Sequence, residues 1–171
     1  MHDDHLRYPI GRLELPTTIT EEHIAQWIQD IEILPRQFSD AVSALPPGSL
    51  DTPYRPGGWT LRQVIHHVAD SHINSYIRFK WTLTETMPTI KPYDEKAWAE
   101  LPDMRDTPVG VSLRLLGALH ERWVILLRAL TPEQLQLTFI HPESGPVRLE
   151  QAIGLYSWHG RHHLSHLYLI N

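Results

Sequence analysis

Residues 149–167 read LEQAIGLYSWHGRHHLSHL, and the period of this run sets the architecture. Ala152, Leu155, Tyr156, His159, His163 and His166 recur on one helical face, so imidazoles take over from apolar side chains along what begins as a core stripe. At about 100° per residue, His159, His162, His163 and His166 fall within an arc of about 100°. Both His159/His163 and His162/His166 have the i, i+4 spacing that lets two side chains grip one ion. Such a stripe has to pack against other helices, and the rest of the chain supplies them.

Thr60 as N-cap, Gln63 three residues on and Trp59 placed to staple onto Val64 open a second long helix, which runs to about Thr86 and stops before Pro88. It carries a further histidine group, His66, His67 and His72, in RQVIHHVADSH. Upstream, Thr18 and Glu21 form a capping-box pattern ahead of Ile24, Trp27, Ile28 and Ile31, while Pro35 is expected to kink or divide that helix before Phe38, Val42 and Leu45. Thr107 and Pro108 read as N-cap and first helical residue of the cleanest amphipathic segment, with Leu115, Leu116, Leu119, Trp123, Leu126, Leu127 and Leu130.

Between these lie an extended arm over residues 1–17, a long aromatic loop over 87–106 with a short helix near Trp98, a turn at Thr131–Gln134, and LTFIH and PVRLE around Glu143–Gly145, read as a small hairpin or two extended arms. The whole predicts an all-α fold, an antiparallel four-helix bundle occupying residues 1–171 as one domain.

Composition narrows the chemistry. With no cysteine among 171 residues, disulfides, thiolate ligands and a cysteine nucleophile are excluded. The net charge of −5 comes from interspersed acids and bases, so a nucleic-acid partner is not expected. The N-terminal run lacks a secretory apolar core, and no stretch approaches a membrane span, which predicts a cytoplasmic protein without a membrane partner. There is no GxSxG elbow and no phosphate-cradling glycine motif.

A lone histidine on an apolar face is more often a hydrogen-bonded core residue than a ligand. Seven of the twelve histidines, however, sit in two groups, and burying them together without an ion demands many satisfied donors and acceptors. Bundles build metal sites from facing helices, and three neutral imidazoles leave one tetrahedral position open, the pattern of catalytic zinc. Nickel, cobalt or iron suit the same donors. Angular position favours His67 over His66; spacing does not choose between the two later pairs. Asp70 and Glu150 are the nearby carboxylates able to orient a ligand or water, with a solvated helix face as the plainer alternative.

The segments RYPIG, GWTLRQVIHHVADSH, RFKWTLTE, PTIKPYDEKAWAELPD and LYSWHGRHHLSHL together resemble the YfiT family, a branch of the DinB-like superfamily. The resemblance implies a homodimeric metal-binding bundle with metal-dependent hydrolase activity. It assigns the ligands to the second histidine of the HH pair and to the HxxxH after the tryptophan, which are His67, His159 and His163. His162 and His166 become supporting residues, and the chain here ends at Asn171, where family members commonly extend further.

Three functions follow as expectations. One is metal-assisted hydrolysis of a small-molecule substrate at one divalent ion, zinc first, with Asp70 and His162 as the candidates for moving protons. A second, implied by the superfamily, is S-transfer from a low-molecular-weight thiol such as bacillithiol or mycothiol, whose thiolate the ion would stabilise. A third is a metal-binding bundle without catalysis, its coordination closed by a fourth protein ligand.

Overall fold

The structure is a computed structural model that describes residues 2–170. Its elements are α1 (His2–Arg7), α2 (Glu21–Ala44), α3 (Leu61–Thr84), α4 (Glu95–Ala99), α5 (Pro102–Asp106), α6 (Val109–Arg128), α7 (Pro132–Leu135), β1 (Thr138–His141), β2 (Gly145–Arg148) and α8 (Leu149–Leu167). Single 3₁₀ turns lie at Ser49–Asp51 and Tyr168–Ile170. The four long helices α2, α3, α6 and α8 form the predicted four-helix bundle, with two parallel neighbouring pairs where an antiparallel order is expected.

Local chemistry explains most of the boundaries. Thr60 caps α3 by accepting from the Gln63 amide, while Gln63 Oε1 accepts from the Thr60 amide at 2.9 Å. The start of α2 departs from expectation: Thr20, not Thr18, is the N-cap, because His23 Nδ1 accepts from the Thr20 amide at 3.1 Å and so replaces the usual Glu or Gln. Pro35 does not divide α2, which continues as one helix through it.

At α6 the cap is Pro108 itself. Thr107 is engaged elsewhere: its amide closes α5 onto Asp103 O, and its carbonyl accepts from His66 Nε2 at 3.2 Å. The extended arm expected at the N-terminus begins instead with α1, whose end is fixed by Tyr8 N–H donating to Asp4 O. The hairpin is present, antiparallel, with Phe139 opposite Val147.

Contacts between neighbouring helices give their relative directions. Trp27 meets Gly154, Asp30 bonds Ser157 and Leu34 meets Gly160, so α2 and α8 run parallel. His66–Ser112, His72–His120 and Phe79–Trp123 contacts make α3 and α6 parallel too. Conversely, His67 faces His163 while His72 faces Tyr156, so α3 and α8 are antiparallel. Helices α2 and α3, consecutive in sequence, each pack on both α6 and α8, which places them on opposite sides of the bundle.

This topology accounts for the long aromatic loop. A 24-residue α3 is about 36 Å long, and a parallel α6 can begin only after the chain has returned that distance. Residues 85–108 make the return along α3, held by Ile90 N–H donating to Ile140 O and Gln63 Nε2 donating to Ala99 O. The single short helix expected near Trp98 is a pair, α4 and α5.

Two apolar clusters fill the interior. One gathers Ile31, Phe79, Trp123, Leu127, Leu149 and Ile153; the other gathers Leu34, Phe38, Leu61, Val64, Leu116 and Leu164. On three of the four long helices the histidine layer falls between the two, at His67–His72 on α3, His120 on α6 and His159–His163 on α8. No helix among the described residues is long and apolar enough to cross a membrane.

Candidate metal centre

Because α3 and α8 are antiparallel, the HH pair near the start of α3 meets the HxxxH near the end of α8. His67 Nε2 lies 3.3 Å from His159 Nε2. The His163 ring is centred 4.8 Å from His67 and 4.5 Å from His159. Their ligand atoms all fall within 4.8 Å of one another, close enough to hold one ion. His67 and His163 are buried, whereas His159 is partly open to the adjoining cleft.

The donor chemistry fits a metal. Burial pushes the His67 imidazole down to about 4, reinforced by the positive charge that His162 would bring. His159 and His163 are pushed well below the ordinary histidine range by burial first and by neighbouring imidazoles second. All three are therefore neutral at pH 7 and carry a lone pair. Metal–imidazole bonds of about 2.0–2.1 Å in tetrahedral geometry put the two nitrogens of an edge about 3.3 Å apart, which matches the His67–His159 separation.

His159 has a defined tautomer. His120 Nδ1 can only donate to the carbonyl of Ile31, at 2.6 Å, so in neutral His120 Nε2 is an acceptor. His72 Nδ1–H then donates to His120 Nε2 at 2.8 Å, leaving His72 Nε2 to accept from His159 Nδ1–H at 3.2 Å. The proton of His159 is thereby turned inward and its Nε2 lone pair faces His67.

The remaining sequence candidates are distributed differently. His66 points away from the centre, its Nε2–H donating to Thr107 O and its Nδ1 accepting from Ser112 Oγ at 2.7 Å. His162 stacks on Trp158 at 4.6 Å, and burial lowers it to about 4. His166 stacks on Tyr54 at 4.0 Å and donates from Nε2 to Arg7 O. The Nδ1 atoms of His162, His163 and His166 are buried without a hydrogen-bond partner among the described residues, and these three residues form a second group close enough to hold an ion.

Asp70 is not among the residues lining the cleft; burial, aided by Asp103, raises its carboxyl to about 6. Glu150 pairs with Arg148 at 2.8 Å and accepts from Gln136 at 2.8 Å, at the far end of α8 from His163. His120 escaped the sequence reading, since a single histidine in a leucine-rich helix carries no ligand spacing of its own.

The three imidazoles open on a cleft of about 800 Å³, a volume suited to a small molecule. Its walls include Trp59, Tyr93, Tyr156 and Trp158, with Arg78 and Lys96 among the charged residues. Tyr93 comes from the return loop, and Trp98 packs against it at 4.5 Å without itself lining the cleft.

A four-helix bundle with a clustered imidazole donor set at the wall of a small-molecule cleft defines a metal-binding helical protein. Residues 30–167 match the model of the DinB superfamily, and the chain belongs to that family. It is 60% identical over 162 residues to the protein named "Putative metal-dependent hydrolase BcerKBAB4_2443" of Bacillus mycoides (strain KBAB4), covering 95% of this chain and 93% of that one. The same identity and coverage relate it to the protein named "Putative metal-dependent hydrolase BCB4264_A2719" of Bacillus cereus (strain B4264). Among solved structures it is similar to YfiT from Bacillus subtilis, described as "a probable metal-dependent hydrolase with an unusual four-helix bundle topology". That similarity has a TM-score of 0.93 at 50% identity and covers 97% of this chain and 95% of the other.

Proposed function

We propose that this chain is a metal-dependent hydrolase of small molecules, with one divalent ion, zinc in the first instance, held by His67, His159 and His163. The observation that carries the reading is the 3.3 Å approach of His67 Nε2 to His159 Nε2 beside His163, at the wall of an 800 Å³ cleft. The names of the relatives in Bacillus mycoides and Bacillus cereus support the same chemistry.

When bound, the ion supplies Lewis-acid polarisation of a carbonyl or phosphoryl oxygen and activates water at neutral pH. The protein's own part is to present neutral imidazoles, which burial secures for all three ligands. His162 lines the cleft within 4.9 Å, ring to ring, of His163 and is also held neutral, so it is placed to take up a proton from the reacting group and return it to the leaving group. Tyr93, Tyr156 and Trp158 provide the apolar walls that orient substrate and exclude bulk water.

The test is turnover of ester, amide and lactone panels by zinc-loaded, chelator-treated and His159→Ala protein. Hydrolysis in the loaded parent alone is the expected outcome. Absence of hydrolysis together with zinc-dependent conjugation of a small thiol to a bimane would replace it with thiol transfer.

A further inference from the structure

An unbroken hydrogen-bonded chain links all four long helices to the candidate metal centre, from Ile31 O on α2 through His120 on α6 and His72 on α3 to His159 on α8. We propose that His72 and His120 are positioning residues whose relay locks His159 as the Nδ1–H tautomer and aims its Nε2 at the ion. This deepens the metal-dependent reading of the same centre and rests on it.

The direction of every bond follows from the end of the chain. A carbonyl accepts and never donates, so Ile31 O sets His120, His120 sets His72, and His72 sets His159. His72 and His120 are 0% and 1% exposed, which removes water as an alternative partner. Their rings stack at 5.0 Å and 10°, and Trp123 stands edge-on to both, so neither imidazole has room to flip. The relay also ends in a carbonyl, which offers no outlet for a proton. Its role is thus to orient and fix a tautomer rather than to conduct. His67 and His163 have no such backing: among the described residues neither forms a hydrogen bond outside the centre, which makes His159 the anchored ligand.

Hydrogen-bond partners of metal-bound histidines characteristically contribute about 10- to 100-fold to affinity. His72→Leu, which removes the acceptor for His159 Nδ1–H, is expected to weaken zinc binding by about that factor in competition with a chromophoric chelator. His72→Gln, whose carboxamide oxygen can accept from His159 and whose amino group can donate to His120, is expected to stay within about threefold of the parent. His120→Leu lies one imidazole further away. It is expected to weaken binding too, and the His72→Leu/His120→Leu double variant to be no worse than His72→Leu alone, as for members of one unit.

A variant-free readout guards against misfolding. Long-range nitrogen–proton correlation spectra of the ¹⁵N-labelled parent are expected to show His120, His72 and His159 all protonated on Nδ1, with and without zinc. A parent that binds no zinc overturns the metal reading, and this role with it. A parent that binds zinc while His72→Leu, His72→Gln and His120→Leu all match it overturns the relay alone, as does an Nε2–H tautomer at His159 or His72.

Discussion

The histidine layer makes stability depend on pH in a way that His120 isolates. Burial lowers this imidazole from 6.5 to about 4, opposed by its bond to Ile31 O. The unfolded chain therefore binds a proton below pH 6.5 that the folded chain does not take up until about pH 4. Stability falls as pH falls through that window and levels off below it. The gap corresponds to about 3 kcal/mol by pH 4, from 1.36 kcal/mol for each factor of ten in the proton equilibrium. Against a typical domain stability of about 5–15 kcal/mol, this is a large fraction for one side chain.

His120→Gln removes the titration while keeping a donor for Ile31 O and an acceptor for His72. Urea unfolding of chelator-treated protein, followed by far-ultraviolet circular dichroism between pH 7 and pH 4, measures both chains. The parent is expected to lose about 3 kcal/mol more than the variant across that range. Parallel pH profiles for the two would refute the claim that His120 is buried and neutral.

Three further outcomes are expected. His159→Ala should lose the ion after dialysis against a weak chelator, as measured by plasma mass spectrometry, whereas His66→Ala, which alters a residue bonded to Ser112 and Thr107, should retain it. Gly160→Ala should cost about 1–3 kcal/mol in urea unfolding, because a Cβ there would clash with Leu34 Cδ2 in a packed core. Free zinc at about a hundredfold above its dissociation constant should raise stability by about 2.7 kcal/mol, and His163→Ala should abolish that gain.

Much of this was legible because helical periodicity is local. Thr60 and Gln63 announced the start of α3, and the alternation of apolar residues and histidines after Leu149 marked one face of α8. Where neighbours compete, the local signals misled: Thr18 lost the cap of α2 once His23 could serve Thr20, and Thr107 was drawn to α5 and His66 instead of capping α6. The N-terminal arm carried no helical periodicity, although it delivers Arg7 and Tyr8 to His166 and His162.

From the residues alone came four amphipathic helices, the absence of thiol chemistry and a ligand choice between neighbouring histidines; the family resemblance narrowed that choice to His67, His159 and His163. The tertiary structure alone decided that α3 and α6 run parallel, that the aromatic loop is the return path this requires, and that His72 and His120 stand behind His159. Sequence spacing reports which side chains share a face of one helix, whereas the Ile31–His120 and His72–His159 contacts join residues 89 and 87 apart. Only the packing of four helices around a common layer brings such residues within a hydrogen bond of each other.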